Sequence, residues 1–171
     1  WDYINFMGRQ VKDLDIGIVG YGRLGKMMYK FCKAFGANVH VCDPYVSDVA
    51  TMPLKEMISK CDVISLHVHV TEETKEMINM RSLQNSTKPL YVINTSRGEI
   101  VEENDIVSAL ETGLVAGYGT DVVVDEFGNV SNSPVIKAMN EGHNIVITPH
   151  VGGMTWEGQQ KAYKWAIDKI Q

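Results

Sequence analysis

Arg97, Glu126 and His150 are the residues in this chain best suited by type and position to do chemistry. Each follows shortly after a short apolar run, where a strand would end. Taken singly, each has an ordinary alternative. Arg97 could be a phosphate contact or a solvated loop charge, Glu126 a surface member of the acidic turn Asp125-Glu126, and His150 a satisfied histidine at a strand end. Taken together they point to a site for proton transfer. That requires a framework that brings three distant loops to one edge, as a parallel sheet does.

The first positioning element is Asp15 to Gly25, an apolar run that breaks into Gly20-x-Gly22-x-x-Gly25. Gly20 allows a sharp turn off a strand, Gly22 lets a pyrophosphate approach the backbone, and Gly25 lets the next helix pack closely on the sheet. That helix offers unpaired N–H groups and a positive dipole end to phosphates. Leu24, Met27, Met28, Phe31 and Phe35 form its apolar stripe, and Gly36 ends it. A second apolar run, Val39 to Cys42, ends at Asp43 followed by Pro44. An acid there accepts from ribose hydroxyls and repels a 2′-phosphate, which favours NAD over NADP; the bland reading of Asp43-Pro44 is a turn opener.

The remaining chain alternates strand and helix patterns. A loop or short helix covers Met52 to Lys60, a strand Asp62 to Val68, and a helix is expected to start at Thr71 to Thr74, with Met77, Ile78 and Met80 on its apolar side. Strands follow at Leu90 to Ile93, Val115 to Val124 and Ile145 to Ile147. Helices are expected at about Glu102 to Thr112, from Pro134, and from Trp156 to Gln171, the last carrying Ala162, Ala166 and Ile170 every four residues, with Tyr163, Trp165 and Ile167 broadening that face. Short, continuously apolar strands separated by helices predict an α/β fold, a Rossmann-type doubly wound parallel sheet with helices on both faces. Trp1, Tyr3 and Phe6 are expected to pack against a neighbouring segment. The closing helix has no stop signal, so the 171 residues are expected to be one domain of a longer chain.

Composition narrows the function classes. A formal net charge of −5 without a basic cluster argues against nucleic acid and anionic membranes as partners. No apolar run has the length of a membrane span. Cys32, Cys42 and Cys61 have neither metal-type nor redox-type spacing, so reduced, buried thiols in a cytoplasmic protein are expected.

Four segments carry a family resemblance: Gly-Tyr-Gly-Arg-Leu-Gly at 20–25, Asn-Thr-Ser-Arg-Gly at 94–98, Thr-Asp-Val at 120–122 and Thr-Pro-His-Val-Gly-Gly at 148–153. In order and spacing they resemble the D-isomer-specific 2-hydroxyacid dehydrogenases, and specifically their NAD-binding domain. That domain is inserted into a substrate domain built from both chain ends. The resemblance implies that Arg97 holds a 2-oxo acid by its carboxylate or carbonyl oxygen. His150 exchanges a proton with that oxygen as hydride passes to or from nicotinamide, and Glu126 orients His150. Asp121 accepts from the nicotinamide carboxamide, and Thr95 lines the same place. Besides these and Gly20, Gly22, Gly25 and Asp43, the matching positions imply cofactor contacts from Arg23, Leu24, Pro44, His67, Val68 and Gly152. A small 2-oxo or 2-hydroxy acid substrate and a homodimer formed through this domain are implied as well.

The chain departs from the family pattern in two places. His69 stands where many members have proline, and His67 and His69 share a strand face, but two histidines without a third ligand predict no metal site. His69 is instead expected at the adenine end of the cleft. Phe127-Gly128 follows Glu126 in place of the usual proline, which leaves Asp125 as a fallback partner for the histidine. A glutamine at 126 would have pointed to formate dehydrogenases. The competing functions are an NAD-sensing, corepressor-like module on the same fold, and a different NAD enzyme such as an adenosylhomocysteinase-like or alanine-dehydrogenase-like protein.

Overall fold

A computed structural model describes residues 7–170, so Trp1, Tyr3 and Phe6 lie outside the described residues. Among the described residues, six strands form one all-parallel sheet: β1 (Asp15–Val19), β2 (Asn38–Cys42), β3 (Val63–Leu66), β4 (Leu90–Asn94), β5 (Val115–Thr120) and β6 (Ile145–Ile147), in the order β2-β1-β3-β4-β5-β6. The helices are α1 (Arg23–Ala34), α2 (Leu54–Lys60), α3 (Met80–Leu83), α4 (Glu103–Glu111), α5 (Pro134–Asn140) and α6 (Trp156–Ile170). Register aligns the strand ends. Val19 pairs with Cys42 and with Leu66, Leu66 with Asn94, Asn94 with Thr120, and Thr120 with Ile147. All six strands therefore finish level, and every loop that follows them opens on one edge.

Helices lie on both faces. On one, α2, α3, α4 and α5 cover the main core, with Met57, Ile58, Ile64, Leu66, Leu83 and Ile106 fully buried. On the other, α1 covers Ile16, Ile18 and Val39. Its buried side is narrow: Gly25, with Met28, Tyr29 and Cys32 half-buried. The predicted stripe turns out to be two adjacent ones, because Leu24, Met27, Phe31 and Phe35 face outward and are more than half exposed. Gly25 is the reason. A Cβ there would fall on the Gly20 carbonyl oxygen, so its absence draws the sheet-side face of α1 onto β1 and leaves the bulkier residues outside.

Two expectations need correction. The helix expected from Thr71 is a turn: the Thr74 hydroxyl donates to the His69 carbonyl (2.5 Å), Glu76 takes a left-handed φ of 50°, and Ile78 bridges to Val101 before the short α3. The fifth strand stops at Thr120 rather than Val124, because the Thr120 hydroxyl takes over the bonding of the next turn, donating to the Val122 carbonyl and accepting from its N–H. Helix α6 forms as expected and buries none of its residues, so the face marked by Ala162, Ala166 and Ile170 is uncovered within the described residues. All three cysteines are free. Only Cys61 is fully buried, and burial pushes its thiol up to about 12.

The opposite edge of the sheet is held by charge. Asp62 accepts from Arg9 (2.5 Å), Lys88 (2.8 Å) and the Asp15 N–H (2.8 Å), joining the starts of β1, β3 and β4. Burial raises its carboxyl, but the Lys88, Asp15 and Arg9 bonds outweigh that and hold it at about 2.

Candidate active site

The glycine turn forms as the spacing predicts. Gly20 has a left-handed φ of 89°, and its N–H continues the ladder to the Cys42 carbonyl (2.8 Å). Gly22 caps α1, and a Cβ added to it would meet no protein atom within 4 Å. Gly20 and Gly22 border a cavity of about 1010 Å³ that Asp43, Pro44, His67, Val68 and His69 also line. Arg23 and Leu24 lie outside that lining and expose their side chains; what they can offer a phosphate is backbone N–H at the helix start. Asp43 accepts from the Tyr21 N–H (2.8 Å) and the Tyr45 N–H (2.9 Å), tying the glycine turn to the end of β2. A carboxylate has about four acceptor positions, so two remain for ribose hydroxyls. His67 bonds Ser65 Oγ (2.9 Å), and burial lowers its imidazole below the ordinary value. A glycine turn left open at Gly22, a helix start and an acid with free acceptors fit a dinucleotide.

Arg97, Glu126 and His150 stand farther along the same edge, after β4, β5 and β6. His150 Nδ1 and Glu126 Oε1 are 2.7 Å apart, so Glu126 and not Asp125 is the histidine's partner. Asp125 instead takes a left-handed φ of 55°, which turns the chain so that Glu126 can face His150. Arg97 is exposed and donates to the Ser96 carbonyl (2.6 Å) rather than to Glu126 or His150. Thr95 is exposed beside it.

Asp121 is nearly enclosed, and its bonds go to the segment that carries the histidine. Its carboxylate accepts the Thr148 hydroxyl, the Val151 N–H (3.0 Å) and the Gly152 N–H (2.8 Å), while its carbonyl accepts the His150 N–H (2.8 Å). Burial raises the Asp121 carboxyl, and these donors outweigh it and lower it. His150 has a left-handed φ of 51°, a conformation that costs a non-glycine residue energy unless its surroundings enforce it. Asp121 enforces it.

Asn94, Ser96 and Thr148 shape the site without having stood out by type. Asn94 Nδ2 donates to the Arg97 carbonyl (2.9 Å), Asn94 Oδ1 accepts the Ser96 N–H (3.0 Å), and the Ser96 hydroxyl donates to the Leu66 carbonyl (2.7 Å). Their signal is position just past an apolar run: Asn94 and Ser96 are buried there and must find partners, while the exposed Thr148 donates its hydroxyl to Asp121.

These features define an α/β domain that binds a dinucleotide beside a paired histidine and glutamate. The chain belongs to the D-isomer specific 2-hydroxyacid dehydrogenases, as their NAD-binding domain, whose description matches residues 1–152. It is 32% identical over 166 residues to D-3-phosphoglycerate dehydrogenase of Bacillus subtilis, covering 93% of this chain and 30% of that one. It is 32% identical over 169 residues to glycerate dehydrogenase of Methylorubrum extorquens, covering 99% and 52%. Among solved structures it is similar to D-lactate dehydrogenase from Aquifex aeolicus complexed with NAD and lactic acid, with a TM-score of 0.84 and 27% identity over 97% of this chain and 55% of that one. The chain thus spans from about a third to about half the length of these relatives.

Proposed function

We propose that this domain serves an NAD-dependent dehydrogenase that interconverts a small 2-oxo acid and its D-2-hydroxy acid. The observation that carries the reading is the bond between His150 and Glu126 at the sheet edge that also holds the dinucleotide cleft. Bound NAD(H) supplies the hydride chemistry. Gly20, Gly22, Gly25 and the N–H groups of Arg23 and Leu24 cradle its phosphates, and Asp43 takes the ribose, with Pro44, His67, Val68 and His69 around it. Thr95, Asp121 and Gly152 receive the nicotinamide end. Arg97 holds the acid's carboxylate or carbonyl oxygen with its donor fork. His150 Nε2, the ring nitrogen left free by Glu126, gives a proton to the carbonyl oxygen on reduction and takes it back on oxidation.

The domain works with a substrate domain elsewhere in the same protein. The uncovered surface of α6 and the exposed Tyr91 and Val146, on the sheet face that α1 only partly covers, favour this. A homodimer through the outward stripe of α1 and a cytoplasmic setting for the three free thiols complete the reading. No observation favours the NAD-sensing alternative. The test is NADH oxidation by the full-length protein against a panel of 2-oxo acids, from glyoxylate and pyruvate to hydroxypyruvate and branched analogues. Turnover of one of them supports the reading; NADH binding without turnover of any would overturn it.

A further inference from the structure

The residues from Val124 to Asn132 bury no side chain, and Phe127 is 95% exposed. Apolar packing therefore does not hold the loop that presents Glu126. Its two ends meet at a single carboxylate. Glu103, the first residue of α4 and only 6% exposed, accepts the Val124 N–H through Oε1 (2.9 Å) and the Ser133 hydroxyl through Oε2 (2.8 Å). The start of α4 favours a negative group there. The same short segment reaches Arg97: a Cβ on Gly98 would collide with the Val123 backbone, so Gly98 lies directly against the strand exit that Glu103 grips.

We infer that Glu103 is a positioning residue, a buried staple that closes the 124–133 loop and so sets Glu126 against His150. This rests on the proposed proton-transfer role of that pair. Glu103 touches neither reacting atoms nor cofactor; it acts through the loop. Of the loop's other bonds, that from the Gly128 N–H to the Asp125 carbonyl (2.9 Å) is internal and does not fix the loop to the body of the domain.

The experiment uses the full-length protein with Glu103→Ala, Ser133→Ala and the conservative Glu103→Gln, whose amide can still pair with both ends. Hydrogen exchange is followed peptide by peptide, with turnover and NADH binding measured in parallel. The alanine variants are expected to raise exchange in 124–133 about tenfold while the peptides of β1 to β4 stay unchanged, and Glu103→Gln to restore most of the protection. Their kcat is expected to fall about tenfold with NADH affinity within about twofold, and in a Glu126→Ala background the Glu103→Ala change is expected to cost nothing further. Unchanged exchange in 124–133 in both alanine variants overturns the staple, as does a Glu103→Ala cost that multiplies with that of Glu126→Ala. A wild-type protein that reduces no 2-oxo acid sinks the dehydrogenase reading instead, and the exchange measurement still decides the staple. Should Glu103→Ala fail to fold, Ser133→Ala and Glu103→Gln decide it.

Discussion

His150 and Glu126 are 24 residues apart in the chain, yet His150 Nδ1 lies 2.7 Å from Glu126 Oε1. The contact fixes the ring plane and leaves Nε2 to face a reactant. In the full-length protein, His150→Ala is expected to lower kcat by about a hundredfold or more, since that is what a positioned proton donor typically contributes. NADH affinity should stay within about twofold, because cofactor binding draws on other residues. A matching loss of NADH binding, read by fluorescence titration, would make His150 structural.

The Asp125 alternative has its own test. Asp125→Asn is expected to leave kcat/KM within about threefold, while Glu126→Gln lowers it at least tenfold. Steady-state kinetics on one substrate decides, and the reverse order would mean that the loop rearranges when the substrate binds.

Asp43 should set the choice of cofactor. Wild-type protein is expected to bind NADH at least tenfold more tightly than NADPH, because the carboxylate repels a 2′-phosphate. Asp43→Ser should narrow the gap and also weaken NADH, since Asp43 holds the Tyr21 and Tyr45 N–H groups in place. Equal titration curves for the two cofactors in the wild type would remove the ribose assignment.

Gly25 tests the close approach of α1. A Cβ there strikes the Gly20 carbonyl oxygen, so Gly25→Ala is expected to cost about 1–3 kcal/mol and to weaken NADH binding by displacing the helix start. Urea unfolding monitors the first effect as a lower midpoint at constant slope. An unchanged midpoint would mean that α1 shifts freely.

The charge cluster at the other edge gives a pH dependence of known sign. The Asp62 carboxyl is lowered from 3.8 to about 2 on folding, so the unfolded chain binds its proton first as pH falls. The resulting stability, about 2 kcal/mol, is fully present above pH 4 and lost as pH drops towards 2. Asp62→Asn should be less stable at pH 7 and lose less on acidification. Identical slopes in urea titrations between pH 5 and pH 2 would show that Asp62 does not carry the effect.

Much of this molecule is legible in its sequence, for reasons that particular residues make plain. The glycine turn, its acid and the alternation of strands with helices follow from local rules of backbone conformation and patterning. The meeting of Glu126 with His150 follows from level strand ends. What stayed hidden depends on competition between equals. An apolar stripe on α1 does not say whether it faces a core or a partner, and the small Gly25 decided against Leu24 and Phe31. The Thr71 segment carries helix-type residues, but one hydroxyl and the bridge of Ile78 to Val101 outweigh them. Glu103 looks like an ordinary first-turn acid, and its role emerges only because Val124 and Ser133 come back to it.

The sheet points one way, like an arrow, with its fletching at Asp62 and its head at His150. Adjusting the fletching trims the flight without reshaping the tip. Substitutions that tune the Arg9, Lys88 and Asp62 cluster are thus available for engineering a hardier scaffold while the edge that carries Glu126 and His150 keeps its geometry.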